Sequence, residues 1–377
     1  MTEIVEWKPE NRYNSFSSVK GLTYFNQYKQ IIEWLNGNTN YLPPPVEVNI
    51  DPYAECNLSC PWCVGQRYLK THRDEVGDMR ILPTEYLLRL VDFLAQWGCK
   101  ATCWSGGGED TLHKGLPQAI NRSYERGLDT SVVTNTTNIT DELLEPLMRC
   151  RWIAMSIDSA DRETYIKVKG ADKFDLVIKN IQRLVKKRIE TNSKVDLAYK
   201  MVILPDNYQS LHKACKLAKE LGVQDFHIRP VDMERSDIKG HQQLKLDMDM
   251  IAEQFMRCHE EETKEFRVYT VTYKFDKFFH NKQDFTRCLA TPLLLPILSN
   301  GKAFLCVDVK MMKEYELGSA YPNPPQILEW WGSDKHRELI KSIIPSKNCG
   351  DRRCTFMSYN EQIEQTVLID KLCVNFP

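Results

Sequence analysis

Apolar positions recur with helical spacing from Tyr24 to Leu35, and Pro43-Pro44-Pro45 then forces an extended chain. From residue 46 the period alternates. Val46–Ile50, Ala101–Ser105, Thr130–Thr134, Trp152–Ile157, Val195–Ile203 and Phe226–Arg229 read as strands. Pro83–Gln96, Pro117–Arg126, Asp141–Arg149, Phe174–Arg188 and Tyr208–Leu221 read as helices, one after each of the first five strands. Pro near the start of the first, Thr140 at the N-cap of the third, and Gly127 and Gly222 past two ends mark boundaries. Such alternation predicts an α/β chain with a parallel sheet and right-handed crossovers. Six units predict a partial (β/α)6 TIM-like barrel, open where an eight-unit barrel closes. In such folds the chemistry lies at the C-terminal strand ends.

The pattern divides the chain into an N-terminal extension (1–44), the barrel (45–235), a charged helical connector (236–287) and a small, separate α+β lobe (288–377). The connector carries one predicted helix, Met248–His259. The last lobe carries short strands at Leu293–Leu298 and Ala303–Val307, a Pro-rich turn at Pro322–Pro325 and a helix at Ser333–Ile343.

Lys+Arg (50) and Asp+Glu (51) nearly cancel, which leaves no electrostatic case for nucleic acid or an anionic membrane. Met1–Glu10 is polar without an apolar h-region, and Pro292–Leu298 is too short to span a bilayer. A cytoplasmic chain with reduced thiols is therefore expected. Its 13 cysteines are an odd number, so complete pairing within the chain is impossible. Clustered thiols in that compartment point to metal or catalysis.

Cys56, Cys60 and Cys63 fall within one short loop directly after the first strand. Such closely spaced thiolates hold iron–sulfur clusters, and three ligands on a cubane leave one iron open. Zinc is the competitor, with His72 nearby, but a structural zinc site wants a second ligand pair. Three unrelated core thiols are the bland alternative.

The spacing Cys56-x3-Cys60-x2-Cys63, with Trp62 before the last cysteine, resembles the signature of the radical S-adenosylmethionine (SAM) superfamily. Gly107-Gly108-Glu109 after the second strand is similar to that family's Gly-Gly-Glu motif. The resemblance implies a [4Fe-4S] cluster whose open iron binds SAM. It further implies reductive cleavage of SAM to a 5′-deoxyadenosyl radical that abstracts a substrate hydrogen, with a flavodoxin or ferredoxin-type electron donor. Carried over by motif, Trp62 would lie near the adenine, and Gly107, Gly108 and Glu109 would meet the methionine amino group. Thr134-Asn135-Thr136 resembles the family's Thr-Asn-Gly segment without its glycine, and Ser156-Ile157-Asp158 matches its Ser-x-Asp. Asn135 and Ser156 are thereby SAM-binding candidates, and Lys200 in the fifth strand could pair with the methionine carboxylate. Arg229 and Asp232, at and after the sixth strand, are the catalytic candidates, with Tyr199 and His227 as topological ones.

Cys288, Cys306, Cys349 and Cys354 lie in the last lobe. A hairpin turning at Asn300-Gly301 would bring Cys306 beside Cys288, and a later loop would supply the other two. Four thiolates could complete a closed cluster or an all-thiolate zinc site. Cys288-x12-Gly301-x4-Cys306 resembles the opening of the SPASM/Twitch auxiliary-cluster domains, and the shorter Twitch form implies one auxiliary [4Fe-4S] cluster. Cys373 is a reserve ligand, while Cys99, Cys103, Cys150, Cys215 and Cys258 read as core filling.

The resemblance implies hydrogen abstraction from a small polar molecule, such as a sugar, cyclitol or nucleotide derivative, with net oxidation or epimerisation. Modification of a ribosomally made peptide is the alternative, since residues 1–44 are too short for the winged-helix recognition domain of many peptide-modifying relatives. The tail Val374-Asn375-Phe376-Pro377 differs from the Gly-Gly tail of the GTP cyclase of molybdopterin synthesis. A non-catalytic iron–sulfur or zinc protein is the remaining reading.

Overall fold

A computed structural model describes residues 18–63, 65, 80–230, 246–270, 285–349 and 354–367. The strands in chain order are β1 Glu47–Ile50, β2 Ala101–Trp104, β3 Asp129–Thr134, β4 Trp152–Ser156, β5 Asp196–Ile203, β6 Asp225–Pro230, β7 Arg267–Thr270, β8 Leu294–Ile297, β9 Lys302–Phe304 and β10 Glu316–Ser319. The helices are α1 Phe25–Leu35, α2 Thr84–Trp97, α3 Leu116–Glu125, α4 Asp141–Leu147, α5 Arg162–Lys169, α6 Phe174–Glu190, α7 Leu211–Glu220, α8 Met248–His259, α9 Ile327–Trp330, α10 Asp334–Ser342 and α11 Met357–Thr366.

All the strands lie in one sheet, ordered β10-β9-β8-β1-β2-β3-β4-β5-β6-β7. Each neighbour pair from β1 to β7 is parallel, as is β1 with β8. β9 runs antiparallel to both β8 and β10. The expected strand–helix alternation is present and extends one unit further, because β7 adds beside β6 within the stretch read as a helical connector. That strand is four residues long and opens on Arg267, so it gives almost no alternation signal. The stretch read as a separate lobe begins in the same sheet, with Glu47 of β1 paired to Leu294 of β8.

The two faces of the sheet differ in chemistry. Outward side chains such as Ile50, Trp104, Val132, Ile153, Leu197 and Phe226 are fully buried against the helices. Each contributes about 1.5–3 kcal/mol through removal from water. At the N-terminal end of the barrel, Arg267 pairs bidentately with Asp225 at 2.8 Å and reaches Asp196 at 3.2 Å. This ties β7 to β5 and β6.

The N-terminal extension packs on the C-terminal elements. Trp34 donates to the Gly332 carbonyl (2.9 Å), Trp331 to the Pro43 carbonyl (3.0 Å) and Tyr28 to Gln362 (3.4 Å). Asp161, Asp247 and Ser333 cap α5, α8 and α10 through their side chains. Thr140 holds the cap position of α4 in extended geometry, but its hydroxyl makes no capping bond.

Candidate active site

Leaving β1, the chain runs through Asp51 into the first cysteine loop. The Cys63 amide donates to the Cys60 carbonyl at 3.1 Å, closing a turn between the two cysteines. Cys56, Cys60 and Cys63 are all half-buried. Burial pushes the Cys56 thiol up, and pushes Cys60 up to about 11 against the pull of the Lys169 ammonium. Lys169, at the end of α5, is itself buried and ion-paired with Asp158. Burial alone would lower its pKa, but Asp158 and Cys60 raise it above the usual lysine value.

The glycine-rich loop after β2 packs under this cysteine loop. A Cβ on Gly108 would fall 2.3 Å from the Tyr53 carbonyl oxygen and 2.4 Å from that of Glu55, both backbone atoms, so only glycine fits. A Cβ on Gly65 would meet the Gly107 carbonyl oxygen at 3.0 Å. The Gly107 amide donates to Asp51 Oδ2 at 3.0 Å. Glu109 is buried and already engaged. Its Oε1 accepts from Thr111 and Thr134, both at 2.5 Å, and its Oε2 accepts from the Asn135 amide at 2.6 Å. Burial raises its pKa despite these bonds. Glu109 therefore joins the glycine-rich loop to the end of β3.

Asn135 carries that link to the cysteines. Its Nδ2 lies 3.5 Å from Cys56 Sγ and 3.0 Å from Asn57 Oδ1. Thr136 occupies the position where the resemblance expects glycine, and its φ of 66° shows why glycine suits it. The conformation is held by the Thr136 amide donating to Thr134 Oγ1 (2.9 Å) and by Asn180 donating to the Thr136 carbonyl (2.8 Å). Asp158, after β4, is also left-handed (φ 58°), and its Oδ1 accepts from the Val202 amide at 2.7 Å. Trp62 packs on Val168 and Leu204, beside the ends of α5 and β5.

The inward face of the sheet carries polar groups among the apolar Val133, Trp152, Ala154 and Ala198. In register, Asn49 pairs with Cys103 and Cys103 with Ser131, while Ser156 pairs with Lys200, Lys200 with His227 and His227 with Tyr269. Hydrogen bonds from Ser131 and Asn49, and the charge of Lys200, act on the Cys103 thiol, which burial nonetheless raises strongly. Because Lys200 and Cys103 sit on strands that are not neighbours, their interaction crosses the barrel interior. Cys103 is buried as expected, on the inward face beside Asn49 and Ser131. Tyr199 points away from it and donates to the Ser159 carbonyl at 2.5 Å. Arg229 is exposed at the end of β6, whereas Asp232, His72 and Cys373 lie outside the described residues.

In the C-terminal segment Cys288, Cys306, Cys349 and Cys354 line one cavity, with Asp308, Tyr315 and Phe356 among its other walls. Burial pushes Cys288 up to about 12 and raises Cys306 and Cys354 well above the usual thiol value. Asn360 orders the cavity wall by accepting from the Leu289 and Ala290 amides at 2.7 and 2.9 Å. Among the described residues, no three His, Cys, Asp or Glu side chains gather as a single metal ion would need. The four thiols ring the cavity. Lys169, Asp51, Asp308 and Cys103 were missed as site residues in the sequence, since their partners lie far along the chain. The one local signal was Gly170 directly after Lys169, which marks a helix end at the cysteine loop.

Residues 50–223, which hold the cysteine loop and the glycine-rich loop, match the family described as the Radical SAM superfamily. Among curated proteins, the chain is 30% identical over 168 residues to an S-adenosylmethionine-dependent nucleotide dehydratase of Lacinutrix mariniflava, covering 44% of this chain and 34% of that protein. It is 26% identical over 192 residues to a PqqA peptide cyclase of Granulibacter bethesdensis, covering 50% and 48%. The chain thus spans less than half the length of either relative. In fold it resembles SuiB of Streptococcus suis, solved with S-adenosylmethionine bound. That likeness has a TM-score of 0.62 at 16% identity, covering 88% of this chain and 75% of SuiB.

Proposed function

We propose that this chain is a radical SAM enzyme that abstracts a hydrogen from a polar substrate reaching into the barrel lumen. The observation that carries this reading is convergence. The half-buried thiols, the glycine-rich loop with no room for a side chain, and Asn135 meet at the C-terminal strand ends, above a lumen lined by polar groups. The donor set fits a cluster with an open iron, because three thiols come from one loop and no fourth thiol joins them there among the described residues.

Cys56, Cys60 and Cys63 would hold the [4Fe-4S] cluster. Gly107, Gly108, Asn135, Ser156 and Lys200 would hold SAM, and Trp62 would flank its adenine. Bound SAM and a reduced cluster supply the hydrogen-abstracting radical. The chain's own residues provide the setting. The Lys169 ammonium, held by Asp158, favours the Cys60 thiolate needed for ligation, against burial and the Asp158 charge, which both oppose it. Glu109 acts chiefly as a buttress that fixes Asn135, and Trp62 against Val168 and Leu204 excludes water from one side. Cys288, Cys306, Cys349 and Cys354 would hold an auxiliary [4Fe-4S] cluster, since a ring around a cavity suits a cluster of several irons better than one zinc ion. Lys200 and His227 on the lumen wall favour a small substrate with anionic or hydroxyl groups, such as a nucleotide, sugar or cyclitol, and net oxidation or epimerisation.

Anaerobic reconstitution followed by SAM and dithionite tests the reading. 5′-Deoxyadenosine is the expected product, and its absence with every candidate substrate would overturn the enzyme reading in favour of a non-catalytic iron–sulfur or zinc protein. A ribosomal peptide as substrate is the second reading, favoured by the match to the PqqA peptide cyclase. Stimulation of 5′-deoxyadenosine formation by short peptides, with none by nucleotides or sugars, would select it.

A further inference from the structure

The C-terminal thiol cavity and the glycine-rich loop are joined by a short run of chain. Cys306 lines the cavity. Two residues on, the Asp308 carboxylate accepts from the Thr355 amide (2.7 Å) and hydroxyl (2.9 Å), directly beside Cys354. Two residues further, Lys310 Nζ reaches Asp51 Oδ2 at 2.8 Å, and that same oxygen accepts the Gly107 amide at 3.0 Å. The pair is secluded, with side-chain exposures of 17% for Lys310 and 3% for Asp51. Next to it Asp110 is fully buried, and neither of its carboxylate oxygens has a hydrogen-bond partner among the described residues.

This arrangement sets a demand on Lys310. A buried carboxylate beside a second buried carboxyl group stays ionised only when a cation faces it. Asp51 in turn fixes the Gly107 amide, in a loop where Gly106 and Gly108 have no space to shift, because Cβ atoms there would meet Asp51 and the Tyr53–Glu55 backbone. Loss of Lys310 therefore disturbs the glycine-rich loop itself. The placement of Lys310 depends on the segment anchored at Cys306 and Asp308.

We propose that Lys310 is a positioning residue for SAM, and that through the 306–310 segment a filled C-terminal thiol site tightens SAM binding at the glycine-rich loop. The inference rests on the radical SAM reading above. By reciprocity, bound SAM would favour the filled state of the distant site to the same degree.

The test is equilibrium dialysis of radiolabelled SAM against the full chain, reconstituted anaerobically with iron and sulfide. Lys310→Met and Cys306→Ala are each expected to weaken SAM binding by about tenfold. The double variant should bind no more weakly than either single one. Adding Asp51→Asn to Lys310→Met should restore affinity to within about threefold of wild type, because the amide oxygen still accepts the Gly107 N–H and no buried charge remains. A purely structural role would lower the unfolding temperature without moving the dissociation constant of the folded protein. A Lys310→Met constant within about twofold of wild type would overturn the inference, as would multiplication of the two single effects to about a hundredfold. Should Lys310→Met fail to fold, the Asp51→Asn/Lys310→Met chain carries the test. Its SAM affinity must not respond to Cys306→Ala, and a response overturns the inference. A wild-type chain that takes up iron at Cys56, Cys60 and Cys63 but binds no SAM overturns the functional reading beneath it, a result distinct from wild-type binding that Lys310→Met leaves unchanged.

Discussion

The two thiol sites are built in opposite ways. Cys56, Cys60 and Cys63 come from a single loop and stay half-buried, whereas of the C-terminal four Cys306 and Cys354 are buried, Cys288 and Cys349 half-buried, and all are gathered from segments that meet only when the chain folds. A local, open loop can bind a cluster and still present an iron to an incoming ligand. A dispersed set around a cavity depends on tertiary structure to exist. The first design suits reaction and the second suits storage or relay of electrons.

The largest expected effect breaks the comparison at its open side. Cys60→Ala should abolish 5′-deoxyadenosine formation and lower iron from about eight to about four per chain, leaving the C-terminal cluster in place. Iron assay and electron paramagnetic resonance check this, and a preparation rich in zinc would contradict the C-terminal assignment. Removal of the closed side should act differently. Cys354→Ala should lose the other half of the iron while SAM cleavage at saturating SAM persists and product formation falls, as read by the ratio of 5′-deoxyadenosine to product.

A third prediction concerns the walls. Asn360→Ala leaves the buried Leu289 and Ala290 amides without their acceptor, which should cost about 2–3 kcal/mol of stability and release the C-terminal iron first. Denaturant unfolding, followed by the absorbance of each cluster variant, measures it.

An effect of similar size, seen only in acid, is one of pH. His336, packed between Trp34 and Trp331, is held down to about 3 by burial. Its folded value lies below the unfolded value of about 6.5, so its stabilising contribution is complete above pH 6.5 and is lost as the pH falls toward 3. At pH 4.5 the loss is about 2–3 kcal/mol. Substitution by Phe should flatten this acid slope, an outcome that unfolding curves at pH 7 and 4.5 would reveal. Because His336 sits where α1 meets α10, the closed region should weaken in acid before the barrel does.

What could be read from the chain follows the same division. The Cys56–Cys63 loop and Gly107-Gly108-Glu109 are contiguous, so their resemblance to the family's motifs was visible in the chain. The first six strands carried enough apolar residues to register, and their helices fell within a few residues of the predicted bounds. β7 escaped because four residues opening on an arginine have no face to display. The helix α5 escaped because its few buried residues are separated by charged ones, and its functional lysine is visible only once Asp158 folds back onto it. The Lys310–Asp51 pair joins residues 259 positions apart, and no local pattern encodes such a meeting. Cys103 looked like core filling because burial is legible in a strand but the chemistry of the face it turns toward is not.

The pairing of β1 with β8 has a consequence for the order of events during synthesis. The strand that launches the first cysteine loop emerges early, yet one of its edges has no partner until Leu294–Ile297 has left the ribosome. During that interval the nascent chain carries three thiols just beyond a strand with an open edge, the kind of edge that recruits other chains. Completion of the barrel is thus a late, long-range event, and a chain halted before residue 294 should expose both its metal-binding loop and an unpaired strand. On the proposed reading, cluster insertion and final folding would then fall in the same window.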